Sequence, residues 1–193
     1  MDSGTALEIL IWHPGWMKIS RILYRVRQFW DALRYKPLTN GELAPAHSVL
    51  TGEEMALFIR LQSSEQAHAL RVLRTLQERG ETHPDLLTAA LLHDVGKSCH
   101  PLRLWERVVI VLGKKFFPKS VHTWGRSKPQ GWARPFVVAS EHPLWGAELS
   151  QKAGASPLAV HLIREHQNEL PPLEFSTLES QLLSLLQEAD HQN

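Results

Sequence analysis

Residues 86–98, Leu-Leu-Thr-Ala-Ala-Leu-Leu-His-Asp-Val-Gly-Lys-Ser, constrain the fold of this chain more than any other stretch. The run begins as an apolar helix rich in good helix formers and then sets His93 directly beside Asp94. Successive side chains on a regular helix point about 100° apart. The imidazole and the carboxylate therefore reach one point only where the helix ends or is distorted, and Gly96 is placed to supply that ending. A neutral imidazole nitrogen and a carboxylate oxygen at such a point make half of a divalent metal site, with Lys97 nearby to meet an anion. The competing reading is a plain helix C-terminus, with a histidine favoured by the helix dipole and a solvated aspartate.

The rest of the chain reads as helices separated by proline and glycine punctuation, with no internal repeat and no strand alternation. Residues 16–35 form a basic amphipathic segment, with Ile19, Ile22, Leu23, Val26, Phe29, Trp30 and Leu33 on one side and Lys18, Arg21, Arg25, Arg27 and Arg34 largely on the other. Such a helix packs on its own domain or on a second subunit, or lies on an anionic membrane surface. Residues 36–48, with two prolines and Asn40-Gly41, read as a connection. Thr51 and Glu54 form a capping box that opens a helix, Ser64 caps the next one as far as Gly80, and Pro84 starts the helix bearing His93 and Asp94. Residues 118–134, rich in Gly, Pro and basic side chains, read as a loop, on the substrate side or as a surface excursion. Ser156-Pro157 starts another helix, Pro171-Pro172 breaks the chain, and a last helix spans about 177–190. The expected fold is all-α: an arm over residues 1–50, then a helical bundle over 51–193 built around a buried metal site.

Composition narrows the function classes. A net charge of +1 argues against stable nucleic-acid binding, which calls for a strongly basic chain. Cys99 is the only cysteine, so no intramolecular disulfide can form. No stretch reaches the roughly 18 apolar residues of a spanning helix, and residues 1–11 lack the early basic cluster of a secretory signal. A cytoplasmic protein is expected.

Further ligand-type residues stand in helical contexts on both sides of His93-Asp94. His68 lies in His-x-x-Arg-Val, His142 in His-Pro-x-x-Gly-Ala-x-x-Leu, His166 closes Ile-Arg-Glu-His, and Asp190 follows an apolar helix as Ala-Asp. With His-Asp-x-Gly-Lys at residues 93–97, this set resembles the HD superfamily of metal-dependent phosphohydrolases over roughly residues 54–193. The resemblance implies His68, His93, Asp94 and Asp190 as the minimal ligand set, and His142 and His166 as the additions of the two-metal branch. It departs from many two-metal members at Gln167 and Asn168, where they carry a second histidine and a glutamate. It also lacks the Gly-Tyr-Pro signature of the cyclic di-GMP branch. His161 lies off the face of His166, and His13, His47, His83, His100 and His191 have no motif support.

The chemistry implied is hydrolysis of a phosphate mono- or diester, a nucleotide or similar small molecule, by water acidified on one or two divalent ions. His-rich ligation suits Mn, Fe, Co, Ni or Zn better than Mg. Asp94 would bridge the ions, and Lys97 and Arg71 would meet the phosphate. Two other readings fit the same set of ligands. One is a di-iron oxygenase of the inositol-oxygenase-like type, and the other is a regulatory module that binds a ligand without turnover. A homodimer or peripheral membrane contact through residues 16–35 can accompany any of them.

Overall fold

The computed structural model describes residues 36–168 and 177–193. The basic amphipathic helix expected over residues 16–35 and the break expected at Pro171-Pro172 lie outside the described residues. Among those described there are nine α-helices and no strand, so the fold is all-α. None of these helices is long and apolar enough to cross a membrane.

The first helix corrects the expectation of a connection over residues 36–48. Here α1 (Asn40–His47) is opened by a capping box in which Glu42 N–H donates to Thr39 Oγ1 and Thr39 N–H donates to Glu42 Oε2. The helix tolerates Pro45 within it, and Ala46 with Leu50 belongs to the core. The same device opens α2 (Gly52–Ile59), where Thr51 and Glu54 cap each other as expected. Next comes α3 (Ser63–Glu78), whose Ala69, Val72, Leu73 and Leu76 form the buried stripe of an amphipathic helix. It stops in a Schellman turn: Gly80 takes φ +85°, its N–H donates to Gln77 O, and Glu81 N–H donates to Leu76 O.

Pro84 occupies the first turn of α4 (Pro84–Leu92), which is buried on nearly every side. This helix is the axis of the domain. It packs against α3, against α8 (Pro157–Glu165) and against α9 (Leu178–Gln192). Leu86, Leu91, Leu92, Leu162, Ile163 and Leu186 are fully buried where they meet. Removing each of these side chains from water is worth about 1.5–3 kcal/mol, so α4 is fixed in position before any site chemistry is considered.

Gly96 does not end α4 as the sequence reading expects. The α-helix stops at Leu92, Asp94 takes φ −95° and ψ 0°, and residues Val95–Cys99 tighten into a 3₁₀ turn without a left-handed residue. The glycine is needed because the turn lies directly on α7 (Arg134–Lys152). A Cβ at Gly96 would sit 2.0 Å from His142 O and 2.6 Å from Gly146 N.

Residues 118–134 are not a loop either. After α5 (Leu104–Phe116), Pro118 starts α6 (Pro118–Gly125), and a 3₁₀ turn covers Gly131–Ala133. The Trp124 ring packs on Phe136 of α7 (centroids 4.9 Å apart) and on Trp132 (5.1 Å). Aromatic ring packing thus folds a segment whose glycine and proline content argues for a loop.

Candidate metal centre

Five helices end on, or pass, one point at the side of α4. His68 projects from α3, His93 and Asp94 follow the last turn of α4, His142 lies mid-way along α7, His166 caps α8, and Asp190 lies in the last turn of α9. His93 and His142 are fully buried and Asp94 is nearly so. His68 Nε2 lies 2.8 Å from Asp190 Oδ1. His93 Nε2 lies 3.6 Å from both Asp94 Oδ2 and Asp190 Oδ1. On the other side of Asp94, its Oδ1 is 3.2 Å from His142 Nε2 and 4.0 Å from His166 Nε2. Five of the six residues thus form two groups, His68-His93-Asp94 and Asp94-His142-His166, in each of which the ligand-type atoms lie within 4.8 Å of one another. Asp94 belongs to both, and Asp190 stands beside the first.

The tautomers follow from the backbone. Nδ1 of His93 is 3.0 Å from Ala90 O, Nδ1 of His142 is 2.9 Å from Val138 O, and Nδ1 of His166 is 2.8 Å from Ile163 O. A carbonyl only accepts, so each Nδ1 carries the hydrogen and each Nε2 of a neutral ring presents a lone pair. His93 and His166 sit where their helices stop, and they use carbonyls left unpaired by the helix end. Three lone pairs therefore face carboxylate oxygens, acceptor against acceptor. The Nε2 of His93 is buried and has no hydrogen-bond donor at all. An unpaired buried acceptor costs about 1–3 kcal/mol, and a cation between the imidazoles and the carboxylates removes that cost. The donor set fits a divalent transition metal in each half, with imidazole orientation fixed from behind by the carbonyls.

Comparison with protein families matches residues 66–191 to the HD domain. The chain belongs to the HD-domain family. The matched span holds all six clustered residues and Lys97, and most members of the family are metal-dependent phosphohydrolases. No significant match was found among curated proteins or among solved structures.

The electrostatics of this HD domain keep the cluster ready for cations. Burial pushes the Asp94 carboxyl up, but the Lys97 ammonium beside it outweighs this and holds the group well below the usual carboxylate range. Asp190 is likewise opposed by burial and brought down to about 2, chiefly by its hydrogen bond to His68. Burial and the neighbouring His93 lower His166 to about 3, and burial with Lys97 lowers His142. Both carboxylates are thus charged and both of these imidazoles neutral near pH 7.

Lys97, three residues after Asp94 in the 3₁₀ turn, sets Nζ 2.5 Å from Asp94 Oδ2 and keeps about a fifth of its side chain exposed. Burial opposes its charge, but Asp94 and Glu65 raise its pKa above the ordinary value. Arg71 lies on α3 three residues beyond His68, on the same side of the helix. His161 is exposed on α8, away from the cluster, and His47, His83, His100 and His191 take no part in it.

Two residues that the sequence reading did not assign belong to the surroundings of the site. Glu65, one turn before His68, is buried and pairs with Arg107 at 2.9 Å, and Arg107 also reaches Gln62. The Glu65-x-x-His68 spacing, which puts both on one helix face, is the signal that marks it. Gln167 sets its side-chain nitrogen 3.4 Å from His142 Nε2, so the position where this chain departs from many two-metal members of the superfamily still touches the second group.

Proposed function

We propose that the chain is a metal-dependent phosphohydrolase holding two divalent ions, one in His68-His93-Asp94-Asp190 and one in Asp94-His142-His166, with Asp94 shared. The observation that carries this reading is the buried Nε2 of His93, unpaired between two ionised carboxylates. That arrangement is costly for a structural histidine and ordinary for a ligand. Bound there, two divalent ions supply a positive field for a phosphate and lower the pKa of a coordinated water from 15.7 toward about 7.

The chain's own residues do the rest. The Ala90, Val138 and Ile163 carbonyls hold three imidazoles in the tautomer that offers Nε2. Asp94 and Asp190 stay ionised. Lys97 is a cation at the rim of the site and partly open to solvent, suited to meet a phosphoryl oxygen as charge builds on it. Arg71 is a second candidate for that role. The preferred substrate class is a nucleotide or another small phosphate ester, because two divalent ions would outweigh the Asp94 and Asp190 carboxylates and leave the cluster net positive.

The test joins elemental analysis of the purified protein with phosphate release from a panel of nucleotides and simple mono- and diesters. Two equivalents of transition metal and phosphate release that follows metal content are expected. Oxygen consumption on a polyol without phosphate release would replace this reading with an oxygenase.

A further inference from the structure

A second surface stands apart from the metal chemistry. Between Glu106 and Glu141 the chain runs for 34 residues without an aspartate or glutamate, yet it contains seven lysines or arginines, in a protein whose net charge is only +1. Arg107 and Arg134 are taken up by Glu65 and Glu106. The other five, Lys114, Lys115, Lys119, Arg126 and Lys128, are exposed, and no ion pair holds them among the described residues.

The same stretch is where this protein shows its apolar side chains to solvent. Of the nine large hydrophobic residues exposed among the described residues, six fall on α5, at the residue joining it to α6, or in the turn after α6. They are Trp105, Val111, Leu112, Phe116, Phe117 and Trp132, each between 48% and 65% accessible. Trp105, Val109, Leu112 and Phe116 repeat at i, i+4, i+7 and i+11, which makes one continuous stripe along α5. Trp132 and Phe117 are braced through Trp124, so the aromatic end of the surface is fixed rather than loose.

We infer that α5, α6 and the turn at Trp132 dock the protein flat on an anionic lipid bilayer. Exposed tryptophan and phenylalanine beside unpaired lysine and arginine is the composition of an interfacial helix surface, with rings at headgroup depth and cations toward lipid phosphates. Charge selects the occupant. A second copy of this chain would present the same cations to each other. The chain's own segment 16–35, with five basic residues against the single acid Asp31, has the same sign. A nucleic acid would leave Val111, Leu112 and Phe116 without a use.

Vesicle co-sedimentation of the full-length protein tests this, using phosphatidylcholine vesicles with and without one third phosphatidylglycerol. Partitioning to the anionic vesicles only, weakened as salt rises, is expected. Lys114→Ser with Lys115→Ser should reduce it about 30-fold, since each cation near such a surface contributes about 1 kcal/mol. Leu112→Ser with Phe116→Ser should reduce it further still, and because these positions are exposed the fold should persist by circular dichroism. An environment-sensitive fluorophore on Phe116→Cys, in a Cys99→Ser background, should brighten and shift to the blue on anionic vesicles. Equal partitioning of the wild type and both pair variants would overturn the inference and assign lipid binding to residues 16–35. Absence of vesicle binding would overturn it outright. So would self-association that removes the fluorophore from solvent, or binding to DNA or polyglutamate as tight as to vesicles.

Discussion

Replacing Gly96 with alanine should damage the metal centre without touching a ligand. The added Cβ would lie 2.0 Å from His142 O and 2.6 Å from Gly146 N, whereas ordinary contact begins near 3.4 Å. Both obstacles are backbone atoms of α7, so no side chain can swing away. The 3₁₀ turn and α7 must part by about 1.4 Å at the closer contact, the difference between 3.4 and 2.0. Overpacking of this kind costs about 1–3 kcal/mol, and the backbone collision places Gly96→Ala at the upper end. A loss of about 3 kcal/mol corresponds to a fall in Tm of roughly 6–12 °C for a domain of this size. The same displacement carries Asp94 away from His142, now 3.2 Å apart, so the second group should lose its ion before the first. Thermal unfolding and elemental analysis of Gly96→Ala against Gly52→Ala, where a Cβ meets nothing within 4 Å, measure both effects. A Gly96→Ala protein that melts within a degree of the wild type and retains two metal equivalents would refute the packing argument.

Three other outcomes are expected. His93→Ala and Asp94→Ala should each abolish metal binding and phosphate release while leaving a helical circular dichroism spectrum; full activity in either variant would remove the site. Lys97→Ala should lower turnover at least tenfold with metal content nearly unchanged, and unchanged turnover would take away its role at the phosphate. Stripped of metal, the protein should lose stability as the pH falls from about 6.5. Folded His166 resists protonation down to about 3, whereas the unfolded chain accepts that proton near 6.5. The loss approaches about 1.4 kcal/mol per pH unit for such an imidazole, His142 shifts in the same direction, and Asp190 adds its loss only below about 3.8. Urea unfolding between pH 7 and 5 in the presence of chelator reads the slope, and a flat profile would contradict the burial of these rings as neutral groups.

The clustering of His68, His93, Asp94, His142, His166 and Asp190 was legible because each stands in a short helical context with its own pattern, so a few residues around each sufficed. What the sequence concealed depends on partners far along the chain. Gly96 looks like a helix terminator until α7 is seen crossing it. Residues 118–134 look like a loop until Trp124 and Trp132 meet Phe136, because local glycine and proline content says nothing about tertiary burial. The helix over residues 40–47 is hidden for a different reason. Asn40-Gly41 and Pro45 read as breakers, and they mask Thr39 and Glu42, the same capping pair that opens the helix at Thr51 and Glu54. Glu65 was hidden because its partner, Arg107, comes from a separate helix.

A carboxylate common to both halves of the centre also bears on how the centre fills. In the proposed two-ion centre, negative charge on Asp94 already engaged by one dication would be less available to another, and the two cations would repel across the few ångströms that separate the groups. Loading should therefore proceed in steps of falling affinity, beginning with His68-His93-Asp94, where Asp190 adds a second acid. At scarce metal the dominant species would be singly loaded and complete in shape. If both ions are needed for turnover, catalytic onset would then lag behind the first equivalent of metal taken up.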